Sequence, residues 1–275
     1  MNENKLIIAL DVPTADQARS IFGELRGTGC AFKIGMQLFT AAGNQFVREM
    51  VETGAKIFLD LKFHDIPKTV ASAGVAAARL GVWMFNVHAL GGREMMQQTV
   101  EAVRETVERE RLASPKIIAV TILTSSNQTT LSEIGIENQI DQQVTKLAKL
   151  TFASGLDGVV ASAQEAKMIK AEREKWRAES QKEVENGESK AETEINKSND
   201  FLIVTPGIRS SSTLNSSFST LKDDQKRVLS ANEAILAGSD YLVVGRPILG
   251  ANDRVKAVRD FLHEIQTALQ TKPSN

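Results

Sequence analysis

The sequence predicts an α/β protein: one (β/α)8 TIM barrel spanning residues 1–275, with a charged insertion at 172–200 ahead of the seventh strand. Three observations predict it. Eight short apolar, β-branched runs recur along the chain and alternate with longer stretches of helical period. Each run is almost continuously hydrophobic, as parallel strands covered on both faces are and half-exposed hairpin strands are not. Eight β-α units at roughly 30 residues apiece account for a chain of 275 residues. A doubly wound open sheet is the alternative, but no glycine-rich dinucleotide fingerprint follows the first run.

The first run, Lys5 to Asp11 (KLIIALD), leads into a helix whose Thr14 and Gln17 have capping-box spacing. Ala18, Ile21, Phe22 and Leu25 follow at i, i+3, i+4 and i+7, and Gly27 and Gly29 end the pattern. Next come Ala31 to Gly35 (AFKIG), Lys56 to Lys62 (KIFLDLK), Trp83 to His88 (WMFNVH) and Lys116 to Thr121 (KIIAVT). Asp157 to Ala161 (DGVVA), Phe201 to Thr205 (FLIVT) and Tyr241 to Gly245 (YLVVG) complete the eight. Gly54, Gly81, Gly155 and Gly238 each close a helical pattern shortly before the next run, where a C-terminal glycine belongs. The last helix carries Val255, Val258, Phe261, Leu262 and Ile265 on one stripe. Two segments break the rhythm. From Glu172 to Asp200, 15 of 29 residues are charged, which reads as an insertion: either a solvated extension of the sixth helix or a partly disordered segment, with a break at Asn186-Gly187, leaving the barrel opposite the usual active-site face. Ser210 to Thr220 (SSSTLNSSFST) directly follows strand seven on the catalytic face, so 210–224 is where a lid is expected.

Composition narrows the function. With 42% hydrophobic and 24% charged residues the chain can bury a sizeable core. Lys plus Arg number 33 against 34 Asp plus Glu, so a net charge of −1 supplies no general attraction to nucleic acid or an anionic membrane. No apolar run reaches 18 residues, and the opening MNENKLIIALD lacks the features of a signal peptide. The single cysteine, Cys30, fits a reducing compartment and reads as a small core residue. A cytoplasmic enzyme with a small-molecule substrate is the expectation.

The third run ends in LDLKFHDIPKT. Asp60 and Lys62 lie two apart, so in a strand both point into the barrel mouth if the adjacent leucines face the helices. Asp65 follows in the loop, and Lys33 interrupts the apolar second run. Isolated buried charges cost several kcal/mol, so an array alternating in sign is the natural way to hold all four. An ion-pair network that merely plugs the barrel is the bland alternative, but valine and leucine would serve that purpose better, and strand carboxyl ends are where barrels do chemistry. The eighth run ends in VVGRPI, where Gly245 permits close backbone approach and Arg246 adds a bidentate charged fork. The seventh supplies TPGIR, with Arg209 at the same face. Loops after strands seven and eight are the usual phosphate site of such barrels. His64 and His88 lack metal-ligand spacing and read as structural, and Met95, Met96 and Phe85 read as packing residues.

These motifs together resemble the orotidine 5'-phosphate decarboxylase family. ALD at Asp11, FKIG at Lys33, LDLKFHDIP around Asp60 to Pro67, VTILTS at Thr121 to Ser125, ASAQEA at Ala161 to Ala166, TPGIR at Thr205 to Arg209 and VVGRPI at Val243 to Ile248 occur in the expected order, over nearly the whole chain apart from the insertion. The resemblance implies decarboxylation of orotidine 5'-phosphate to uridine 5'-phosphate with no cofactor and no metal. It implies that Lys33, Asp60, Lys62 and Asp65 form the catalytic array, with Lys33 also touching substrate and Lys62 protonating C6. Asp11 and Thr69 would hold ribose hydroxyls, Thr124 would contact the pyrimidine, and Arg209, Gln225, Gly245 and Arg246 would bind phosphate. It further implies a homodimer in which Asp65 and Thr69 reach the partner's site. Between Arg209 and Gln225 the chain is longer than typical relatives, and LSANEA at Leu229 to Ala234 replaces a Thr-Pro, which makes Gln225 the least secure assignment. The rival is a Mg2+-dependent sugar-phosphate decarboxylase or aldolase of the same barrel group. Such relatives place an acidic metal ligand on strand two, where Lys33 would repel a cation. A non-catalytic nucleotide-binding protein is the other alternative, disfavoured because the charged array is complete.

Overall fold

The computed structural model describes residues 4–185, 201–209 and 229–271. Eight parallel strands close into a barrel: β1 (Leu6–Ala9), β2 (Ala31–Gly35), β3 (Ile57–Phe63), β4 (Met84–His88), β5 (Lys116–Val120), β6 (Gly158–Val160), β7 (Leu202–Thr205) and β8 (Tyr241–Val244). Each pairs with its neighbour in sequence, and β8 returns to β1, with Ile7 opposite Val243. Every strand starts within one residue of its apolar run, and four of the eight runs extend one or two residues past the end of their strand.

The pleat sorts each strand into two layers. Ile7, Ala9, Ala31, Phe58, Met84, Ile118, Leu202, Val204, Tyr241 and Val243 fill the barrel interior as one buried cluster. Trp83 and Tyr241 meet edge-on at 5.2 Å beneath it, flanked by the ammonium groups of Lys56 and Lys5. Alternate residues such as Leu6, Ile8, Phe32, Ile34, Leu59, Phe85 and Val87 face outward to the helices. That ring comprises α1 (Ala15–Leu25), α2 (Met36–Glu52), α3 (Pro67–Arg79), α4 (Gly92–Glu110), the short α5 (Gln128–Glu133), α6 (Ile140–Ala153), α7 (Ala163–Glu185), α8 (Ala231–Ala237), α9 (Arg246–Leu249) and α10 (Arg254–Thr271). Thr14 caps α1 by accepting the Gln17 N–H, and Ala18, Ile21, Phe22 and Leu25 are its buried residues. No helix among the described residues is long and apolar enough to cross a membrane.

Two features add detail to expectation. α7 continues to Glu185, so the helix extends through the first half of the segment read as the insertion, but the start of that extension is not solvated. Arg173 and Trp176 within it are buried: the indole packs on Phe152 and Phe201, and Arg173 Nη1 donates to the Phe201 carbonyl at 2.7 Å. Ile169, Arg173 and Trp176 recur at helical spacing, so the helix just past Glu172 packs on the barrel where a solvated arm was expected. Residues 186–200 lie outside the described ones. The second feature is a two-residue parallel ladder joining Ile208–Arg209 to Leu229–Ser230 beside the barrel mouth. It brings together the two ends of the segment that contains the expected lid; 210–224 and Gln225 lie outside the described residues. Beyond it Ser230 and Glu233 form a reciprocal capping box that starts α8, the physical role of the LSANEA motif.

Candidate active site

Where β1, β2 and β3 reach the mouth, their inward positions change from apolar to charged. Lys33 is buried, and its Nζ lies 2.9 Å from Asp11 Oδ1 and 3.3 Å from Asp60 Oδ2. Lys62 Nζ lies 2.6 Å from Asp60 Oδ1. The result is a row, Asp11, Lys33, Asp60, Lys62, alternating in sign; its carboxylate beyond Lys33 is Asp11, whereas Asp65, the fourth member expected of the array, is not in it. Its outer members are the wetter ones: the Asp11 side chain is 53% exposed and that of Lys62 28%, against 11% for Lys33 and 13% for Asp60. Breaking one partner out of a buried ionic group of this kind typically costs about 3–5 kcal/mol, because the charge left behind has no solvent.

Two glycines make room for the row. A Cβ on Gly35 would stand 3.0 Å from Lys33 Nζ, and one on Gly245 would stand 3.4 Å from Asp11 Oδ2. FKIG therefore places a lysine and the gap for its ammonium on the same inward face of one strand, two residues apart.

Strand β3 reaches the mouth by an irregular path. Lys62 has φ +52°, a left-handed conformation that costs a lysine roughly 1–2 kcal/mol, and the β3–β4 register shifts between Leu59 and Phe63. Both side chains still point into the mouth, though not through a regular strand. Asn86 on β4 was not among the expected site residues. It is fully buried, its Nδ2 donates to Asp60 Oδ1 at 2.7 Å, and its Oδ1 accepts the Lys62 N–H at 2.8 Å. The signal was present: Asn86 is the one amide inside the apolar run WMFNVH, and it stands on the inward phase with Met84.

The electrostatics of the row favour full ionisation. Burial would depress the Lys33 ammonium, but the carboxylates of Asp60 and Asp11 outweigh it and hold the group above the ordinary lysine value. Burial likewise opposes the Asp60 carboxylate, yet Lys33 and Lys62 and the hydrogen bonds from Lys62 and Asn86 hold it below the usual range.

Beside the row, His64 and His88 stack with ring centroids 5.3 Å apart. Among the described residues no group of three or more His, Cys, Asp or Glu side chains is placed to hold a metal ion. Burial first, then His64 and Lys62, pushes the His88 imidazole down to about 4 from an ordinary 6.5. Between those two values the unfolded chain binds a proton that the folded one refuses, so the stability associated with neutral His88 is present above pH 6.5 and is lost as pH falls toward 4. His88→Asn keeps an acceptor for the Leu90 N–H, which His88 Nδ1 now accepts at 3.3 Å. Thermal melts at about pH 7 and about pH 5 should show a smaller acid-induced fall in Tm for His88→Asn than for the native protein; equal falls would remove His88 from the acid response.

The row opens on a cavity of about 640 Å³ lined by Asp11, Lys33, Asp60 and Lys62 together with Thr124, Gly207, Arg209, Gly245 and Arg246. The loops after β5, β7 and β8 thus bring Thr124, Arg209, Gly245 and Arg246 to the same cavity as the charged row. Asp65 and Thr69 do not join them. Both are exposed beyond the end of β3, and the Asp65 Oδ1 accepts the N–H of Ile66 at 2.6 Å.

Ion-paired lysines and aspartates at the carboxyl ends of parallel strands, facing an arginine-bearing cavity, place the chain among the (β/α)8 barrel enzymes. Residues 4–261 match the family described as "Orotidine 5'-phosphate decarboxylase / HUMPS family". Orotidine 5'-phosphate decarboxylase of Syntrophotalea carbinolica is 45% identical over 266 residues, 97% of this chain and 96% of that protein. The protein of the same name from Legionella pneumophila strain Lens is 44% identical over 261 residues, covering 95% and 99% of the two chains. The crystal structure of orotidine 5'-phosphate decarboxylase from Lactobacillus acidophilus superposes with a TM-score of 0.74 at 32% identity, over 95% of this chain and 99% of that one. The chain belongs to the orotidine 5'-phosphate decarboxylase family, and its activity is that of a carboxy-lyase of pyrimidine nucleotide synthesis.

Proposed function

We propose that the protein converts orotidine 5'-phosphate to uridine 5'-phosphate without a cofactor, with Lys62 as the proton donor to C6. The observation that supports this most is the placement of the Lys62 ammonium at the open end of the row, 2.6 Å from Asp60 and lining the cavity. Cleaving the bond between C6 and the carboxylate carbon releases CO2 and leaves the electron pair on C6, where the pyrimidine ring offers no conjugated sink. An ammonium group already held at that point by a fixed carboxylate stabilises the developing charge without reorganisation. The same N–H then supplies the proton, and solvent later restores it to the lysine. Asp60 would stand beside the departing carboxylate. Arg209, Gly245 and Arg246 bind the phosphate on this reading, Thr124 the pyrimidine and Asp11 a ribose hydroxyl, so binding energy far from C6 holds the substrate for the chemical step.

The test follows loss of orotidylate absorbance with purified protein and no added cofactor, with and without chelator. Turnover is expected in both, and no decarboxylation would sink the reading. Activity abolished by chelator and restored by Mg2+ would favour the metal-dependent barrel enzymes instead. The same reading places the enzyme in the cytoplasm.

The exposed positions of Asp65 and Thr69 fit a homodimer in which each chain lends this loop to its partner's site. Subunit mixing checks it. Inactive Lys62→Ala and Asp65→Ala homodimers, allowed to exchange, should form hybrids with one doubly damaged site and one intact site. About half the dimers are then hybrids, and activity should recover to roughly a quarter of native. Verified exchange without recovery would confine Asp65 to its own chain.

A further inference from the structure

We infer that Asn86 is the positioning residue of the charged row: it holds Lys62 in its left-handed conformation and orients the Asp60 oxygen that the lysine meets. The kinetic consequence rests on the decarboxylase reading above; the geometric one does not.

Leu59 of β3 pairs with Phe85 of β4, and the next pair is Phe63 with Val87. Asp60, Leu61 and Lys62 therefore stand opposite Asn86 alone. Three residues against one cannot continue a backbone ladder, because β4 has too few carbonyls at that level to receive their N–H groups. A buried N–H without a partner is costly, and the Lys62 N–H is satisfied by the Asn86 side chain, whose Oδ1 accepts it at 2.8 Å.

The other end of the same amide grips the other charged residue. Asn86 Nδ2 donates at 2.7 Å to Asp60 Oδ1, the oxygen that also takes the Lys62 ammonium at 2.6 Å, while Oδ2 faces Lys33 at 3.3 Å. The orientation of the amide is set by its partners, since an N–H requires an acceptor and a carboxylate requires a donor. One rigid, fully buried group thus ties the main chain of Lys62 to the side chain of Asp60. Leucine has the volume but neither bond. Aspartate keeps the acceptor but loses the donor while it is ionised, and regains both functions when it is protonated.

That difference supplies the test. From β3, an aspartate introduced here would face Asp60 and Lys62, with Lys33 of β2 beyond Asp60, and β5 would oppose it with Ile118. Asn86→Leu should lower kcat about a hundredfold, as small misplacements of catalytic groups do, with KM changed less than about threefold. For Asn86→Asp, the ratio of its kcat to native kcat should be at least about tenfold higher near pH 6 than near pH 8.5, because the protonated carboxyl reproduces the amide. A purely structural asparagine would give a flat ratio. Crystal structures of both variants, the Asn86→Asp crystals grown at high pH, should show Lys62 outside the left-handed region. Native kcat in Asn86→Leu, a flat ratio in Asn86→Asp, or an unmoved Lys62 backbone in either variant would overturn the inference. If Asn86→Leu fails to fold, Asn86→Asp decides. Absence of native decarboxylation would instead overturn the functional reading, and the conformation of Lys62 would still decide the role of Asn86.

Discussion

Lys62→Ala is expected to lower kcat by at least about 10,000-fold, since it removes a proton donor and a preorganised positive charge together, and losses of each kind typically reach about 100-fold or more. The remaining row, Asp11, Lys33 and Asp60, carries two carboxylates against one ammonium, so a negative charge then faces the carboxylate that must depart. Product binding should fall far less, because the cavity-lining loops after β7 and β8 are left intact. Lys62→Arg should not restore the rate: a guanidinium donates no proton near neutral pH, and its planar fork differs in shape from the compact ammonium that Lys62 holds 2.6 Å from Asp60. Single-turnover decarboxylation, read beside product affinity, separates these effects. Near-normal turnover in either variant would show that Lys62 is misassigned.

Arg246→Ala should produce the next largest loss, in kcat/KM. Arg246 opens α9 directly after Gly245, on the cavity wall that also carries Arg209. Truncating one partner of a hydrogen-bonded charge pair costs about 2–5 kcal/mol, or roughly 30- to 5,000-fold. Added phosphite should restore part of the rate in the variant, because a free dianion can occupy the vacated anion site. In the native enzyme, removing the phosphate from the substrate should be at least as damaging as removing the arginine. Equal native activity on substrates with and without phosphate would contradict the assignment.

The parallel barrel was legible because each strand is covered on both faces, so hydrophobic burial writes it as an uninterrupted apolar run that few other structures require. The chemistry was legible for the complementary reason. Lysine and aspartate are expensive inside apolar strands, so Lys33, Asp60 and Lys62 stand out against AFKIG and KIFLDLK. Asn86 breaks WMFNVH in the same way, but a neutral amide is a weaker signal than a charge. The burial at the start of the α7 extension was harder to read, because charged residues crowd its solvent face and Arg173 and Trp176 continue the buried stripe of Ala163, Ala166 and Ile169.

By itself, then, the sequence determined the class of fold, the strand order and the residue types at the mouth, because burial and charge are properties of residue type and local period. Only the tertiary structure decided how those residues meet. The left-handed Lys62, the three-against-one step between β3 and β4, and the amide that bridges it all depend on register between strands. So does the meeting of the Lys33 ammonium with Asp11 and Asp60 from the two neighbouring strands. Register is set by neighbours more than twenty residues away, and no local pattern along one strand records it.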